Sequence, residues 1–113
     1  MTELDLTYLE SVTDGDNELI QDLLEIFFSQ VPEYNEEFKV AFENKDSETL
    51  GRIAHKAKSS IAIMGLNDLA TQLSKFEAEA GAGVFSENYM EYIKLFETEC
   101  NDAIRLLKEK FDL

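Results

Sequence analysis

The apolar residues of this chain recur every three or four positions along nearly its whole length, and nowhere do they alternate every second residue as in a half-buried strand. That regularity restricts the fold to packed helices. The longest stripe reads Ile20, Leu24, Phe27, Val31, Tyr34, Phe38 and Ala41, whose steps of four and three are the seam of a bundle helix. Three more stripes follow: Leu50, Ile53, Ala57, Ile61, Met64; then Leu66, Leu69, Leu73, Phe76, Ala80; then Tyr89, Ile93, Phe96, Cys100, Ala103, Leu107. Between them stand the residues that start and stop helices. Asp16 or Asn17 can cap the first long helix, and Asn44-Lys45-Asp46 reads as a turn with Asp46 or Ser47 as the next cap. Gly65 is a plausible stop, Gly81-Ala82-Gly83 a break, and Ser86 the cap of the last helix. A short helix over residues 4–9, ending near Thr13-Asp14-Gly15, precedes them. Pro32 has no amide proton, but the stripe stays in phase across it, so a bend is expected there rather than a break.

Each stripe must be buried against another. The predicted architecture is therefore all-α: an antiparallel up-down four-helix bundle with a short additional N-terminal helix, residues 1–113 forming a single domain. No apolar run reaches the roughly 18 residues that span a bilayer, and the acids at Glu3 and Asp5 do not suit a secretory signal, so a cytoplasmic location is expected. The lone Cys100 cannot form an internal disulfide, in keeping with a reducing compartment, and its place in the last stripe marks it as a core thiol. Met1 favours a free-standing protein over an excised segment.

Net charge is −14, from 24 acids and 10 bases. Nucleic acid and anionic membranes are therefore poor partners, since both are held by Lys and Arg; oligomeric state is left open, with a monomer as the default expectation. The charge is uneven. Residues 1–38 hold 11 acids and no base, whereas residues 49–67 hold no acid and three bases, Arg52, Lys56 and Lys58. About four acids would be expected in that second window at the chain-wide frequency. The only histidine, His55, lies inside it.

On a helix turning 100° per residue, His55 falls at about 200° from Ile53, opposite the face made by Leu50, Ala57, Ser60, Ile61 and Met64. It should stand exposed. Gly51, Lys58, Ser59 and Ala62 share its face, with Arg52 and Lys56 on one flank. An imidazole of ordinary acidity, near about 6.5, is mostly neutral at cytoplasmic pH and offers a lone pair. Small neighbours leave room for in-line approach to phosphorus, Lys58 can meet phosphoryl oxygens, and an acid-free window spares an incoming dianion repulsion. The same residues also suit an ordinary solvated helix face.

The run Ala54-His55-Lys56-Ala57-Lys58-Ser59-Ser60, followed by Gly65-Leu66, Leu69, Leu73 and Phe76-Glu77, resembles the signature of histidine-containing phosphotransfer (HPt) domains. Tyr8-Leu9 before Asp14-Gly15-Asp16, then Ile26-Phe27 and Val31-Pro32-Glu33, also look like that family, so the resemblance spans roughly residues 4–80. It implies that His55 accepts a phosphoryl group from a receiver-domain aspartate and passes it to another receiver, below a hybrid sensor histidine kinase. Lys58 would stabilise the charge, and Gly51, Arg52, Lys56, Ser59 and Ala62 would lie under the docked receiver. No cofactor or metal of its own is implied, and no independent catalytic activity. Two positions depart from the pattern: Ala57 where leucine is common, and Ser59 where glycine is common.

Two other classes compete. One is a bundle that binds and occludes a receiver or kinase without accepting phosphate. The other is a di-metal or hydrolytic bundle, which needs inward Glu-x-x-His pairs and is poorly served by one outward histidine. Leu19, Leu23, Ile26 and Phe28 lie off the seam of the second helix. They are expected to be covered in part by the first helix; the alternative is an exposed patch that docks a receiver.

Overall fold

The computed structural model describes residues 4–113, which form five α-helices and, among these described residues, no strand. They are α1 (Thr7–Thr13), α2 (Asn17–Glu43), α3 (Ser47–Ile63), α4 (Asn67–Gly81) and α5 (Tyr89–Lys110). The last four make an all-α bundle and α1 is the short addition, as the stripes require. Residues 1–3, and Met1 with them, lie outside the described residues. The 27 residues of α2, at about 1.5 Å each, set the 43 Å length of the molecule.

Helix ends follow local chemistry. The Asp16 carboxylate accepts the Glu18 and Leu19 amides at 2.9 and 3.4 Å, so Asp16 rather than Asn17 caps α2. Asp46 does the same for α3, accepting the Thr49 amide at 3.2 Å and the Thr49 hydroxyl at 2.7 Å. α2 runs unbroken through Pro32. α4 begins one residue later than its stripe, with buried Leu66 as the flanking position. Ser86 does not cap α5 itself; its hydroxyl accepts the Asn88 amide at 3.2 Å in the turn that leads into Tyr89.

α1 is the element that the periodicity misplaced. It starts at Thr7, not at residue 4, because residues 4 and 5 are engaged elsewhere. The Asp5 amide donates to the Gly65 carbonyl at 3.1 Å, while the Asp5 carboxylate takes the Thr7 amide at 3.0 Å. Gly65 closes α3 in a left-handed conformation (φ +75°), and any Cβ there would run into the Asp5 carbonyl. The chain thus crosses the α3–α4 turn before α1 can begin.

The core is aromatic where α2, α4 and α5 meet. Phe38 is fully buried, its ring centre 5.7 Å from that of Phe76 and 5.2 Å from that of Phe96. Truncating any one of the three to alanine should cost about 3–5 kcal/mol. α3 contributes no aromatic ring, only the aliphatic Leu50, Ile53 and Ile61 and small residues. Ala54 and Ala57 are fully buried, and α3 packs more extensively on α4 than on any other helix. Cys100 is buried in the same core, and burial pushes its thiol far above the usual range, which makes it inert.

Candidate functional site

The site is a carboxylate shared by two side chains of α3. The His55 side chain is 66% exposed, as the helical wheel requires, and its Nδ1 lies 2.7 Å from Oε2 of Glu77 on α4. The other oxygen of that carboxylate accepts the Lys58 ammonium at 2.9 Å. Lys58 and Glu77 are about one-third exposed, so the pair is only partly screened by water. The Lys58 ammonium, and less strongly the His55 ring, hold the Glu77 carboxyl below its ordinary value of 4.5, against a smaller upward push from partial burial.

An ionised carboxylate can only accept hydrogen bonds, so the His55 nitrogen facing it carries the proton. In the neutral ring the lone pair then sits on Nε2, the nitrogen turned away from Glu77. The geometry selects a tautomer and supports the ring from behind. The backbone beneath is firm: the buried Ser47 hydroxyl at the start of α3 donates to the Ala80 carbonyl at the end of α4, 2.6 Å away.

The other expected residues divide. Ser59 and Ala62 are exposed on the outer side of α3, near His55. Arg52 and Lys56 are exposed on the flank. Gly51 is not part of the open surface. It is buried against α4, where a Cβ would lie 3.2 Å from the Gly81 nitrogen and 3.5 Å from the Glu77 carbonyl oxygen. Its smallness serves helix packing.

The acid-free window is a property of the sequence and not of the surface. Glu77 arrives from α4 and takes Lys58, Glu37 from α2 reaches Lys56 at 3.8 Å, and Glu48 pairs with Arg52 at 3.9 Å. Each cation of the island has an acidic partner from outside residues 49–67. Glu77 was therefore missed as a functional residue, although one signal pointed to it. An antiparallel pair turning at Gly65 sets residues ten before the turn beside residues eleven or twelve after it, which brings Glu77 to His55.

The off-seam residues of α2 also divide. Leu23 and Phe28 pack on the core, and the Lys108 ammonium of α5 sits 5.4 Å from the Phe28 ring centre. Leu19 and Ile26 remain 48% and 50% exposed, and α1 adds Tyr8 and Val12 at 55% and 48% instead of covering them. These are four large, half-exposed apolar side chains on two consecutive helices. Leu19, Leu23 and Ile26 fall within about 40° of Gln30 on the helical wheel, and Gln30 accepts the Ser60 hydroxyl of α3 at 2.9 Å. These three residues therefore lie on the side of α2 that meets α3. Along the axis, Ile26 is about 6 Å from Gln30, and His55 is about 7.5 Å beyond Ser60.

The fold matches that of histidine-containing phosphotransfer protein B from Pseudomonas aeruginosa PAO1. That crystal structure is 24% identical, with a TM-score of 0.86, and the match covers 96% of this chain and 94% of the other. No protein with a curated description matches the sequence. The sequence profile of the Hpt domain matches residues 22–110, which include α3 with His55 and Lys58 and α4 with Glu77, and the chain belongs to the Hpt domain family.

Proposed function

We propose that this chain is a phosphotransfer intermediate of a multistep two-component phosphorelay. His55 takes a phosphoryl group from the aspartyl phosphate of one receiver domain and yields it to the aspartate of another, with a hybrid sensor histidine kinase upstream. The observation that carries this reading is the exposed His55 ring, tied at Nδ1 to Glu77, which leaves Nε2 as the nitrogen turned away from that carboxylate.

In the forward step the Nε2 lone pair forms the N–P bond as the acyl O–P bond of the donor breaks, and that bond's electrons return to the donor carboxylate. The ring gains positive charge while its Nδ1 proton stays against Glu77, whose negative charge stabilises the imidazolium. Lys58 turns its ammonium from Glu77 to the phosphoryl oxygens as the dianion arrives. The return step reverses each movement. Divalent metal and both aspartates belong to the receivers; the chain supplies no cofactor and acts as a phosphocarrier without independent catalysis. It works in the cytoplasm as a monomer, its net charge of −14 opposing self-association.

The receiver docks over Ser59, Ala62 and the flank of Arg52 and Lys56, and extends onto Ile26, Leu19, Val12 and Tyr8. An interface of about 800 Å² per partner is about 28 Å across and reaches both His55 and these apolar side chains. Incubation with a phosphorylated receiver should leave an acid-labile, base-stable label on the chain, absent from a His55→Gln variant. Label that persists in the variant overturns the site. Binding without label from any receiver favours the occluding module.

A further inference from the structure

We infer that Gly51 is a positioning residue for phosphoryl transfer, acting through Glu77; the inference rests on the role given above to His55 and Glu77. Two glycines meet where α3 crosses the end of α4, and they differ. A Cβ at Gly81 would meet nothing within 4 Å, whereas one at Gly51 would press on the Gly81 nitrogen at 3.2 Å, the Gly81 Cα at 3.4 Å and the Glu77 carbonyl oxygen at 3.5 Å. These atoms bracket one helical hydrogen bond, from the Gly81 amide to the Glu77 carbonyl. The missing Cβ of Gly51 therefore lets α4 approach at the residue whose carboxylate holds His55 and Lys58.

Gly51 lies one turn before His55 on α3, and Glu77 lies one turn before Gly81 on α4. A separation set at the Gly51 contact is thus passed directly to the 2.7 Å bond between Glu77 and His55 Nδ1. A methyl group at 3.2 Å makes its neighbour retreat by a few tenths of an ångström. That distance matters little to a bundle but much to a short charge-assisted hydrogen bond. Alanine is also the better helix former, so Gly51→Ala has a compensating gain in fold stability and a loss confined to the site.

The test compares Gly51→Ala, Gly81→Ala and Glu77→Ala, alone and with Gly51→Ala combined with Glu77→Ala. Three readouts are taken: thermal melting, the ¹⁵N spectrum of the His55 ring, and the transfer rate from a phosphorylated receiver. Gly51→Ala should keep its melting temperature, lose part of the bias toward the Nδ1–H tautomer, and transfer about threefold more slowly. Gly81→Ala should match the parent chain in all three. In the Glu77→Ala background, Gly51→Ala should change nothing further. An unchanged ring spectrum in Gly51→Ala, an equal loss without Glu77, or a variant that no longer folds would each overturn the inference, the last by showing that the contact holds the bundle instead of tuning the site. The ring spectrum needs no phosphate. Failure of the parent chain to take a label would therefore count against the phosphorelay reading and leave the Gly51 result separately readable.

Discussion

The seam between α3 and α4 and the surface shared by α1 and α2 are built on opposite plans. At the seam the charges around the histidine are paired: Lys58 and His55 meet on Glu77, and along the flank Lys56 reaches Glu37 and Arg52 reaches Glu48. On α1 and the first half of α2, among the described residues, no acid between positions 5 and 36 forms an ion pair, and four large apolar side chains stand about half exposed. The first region satisfies itself and fixes a geometry. The second leaves its acids without ion pairs and its large apolar side chains half in water, which suits the proposed docking of another protein. On the proposed function, chemistry at His55 and recognition at Ile26 would be separated by about 14 Å along the bundle axis.

Substitutions can break that division. The largest expected effect is at the seam. Glu77→Ala should slow transfer by about tenfold to a hundredfold, the value of one hydrogen bond to a charged group, while receiver affinity measured by calorimetry stays unchanged. Next comes the apolar surface. Leu19→Ser with Ile26→Ser should weaken receiver binding about tenfold and leave the melting temperature and the labelling of His55 by a small phosphoramidate donor unaltered. Equal losses with receiver and small donor would erase the proposed separation.

Salt gives a smaller and sharper test. Between about 0.1 M and about 1 M the screening length falls from roughly 10 Å to 3 Å, which reaches unpaired surface acids and spares a 2.7 Å contact. Receivers with basic rims should associate about threefold more slowly in stopped-flow, with the His55 ring spectrum unmoved.

The smallest effect concerns acid. Lys58, and then His55, lower the folded-state value of Glu77 below 4.5. The stabilisation it brings is therefore complete above that ordinary value and disappears as pH falls through the depressed one. The Thr49 hydroxyl and amide lower Asp46 in the same way, so part of the acid sensitivity lies outside the site. The melting temperature of Glu77→Gln should fall slightly less steeply than that of the parent chain as pH drops below about 4.5.

The sequence made the four long helices and the exposure of His55 legible because each depends on residues three or four apart. Phe38, Phe76 and Phe96 sit in phase on their own stripes and meet in the core. What could not be read in that way came from distant segments. The window around His55 is acid-free only along the chain, since Glu37 and Glu77 approach from other helices. Gly51 looked like open space beside the histidine on a single wheel, and becomes buried once α4 is laid against it. The start of α1 was lost to a backbone hydrogen bond with a residue sixty positions away, Asp5 to Gly65.

That bond has a mechanical consequence. The segment leading into α1 is strapped to the end of the helix that carries His55, and Gly65 leaves no slack, since a side chain there would displace the strap. A protein gripping Tyr8 and Val12 therefore pulls on the same frame that carries His55. If a receiver docks as proposed, grip and target share one datum, and the alignment of the docked phosphate inherits the tolerance of a two-residue link, not that of a loose N-terminal arm.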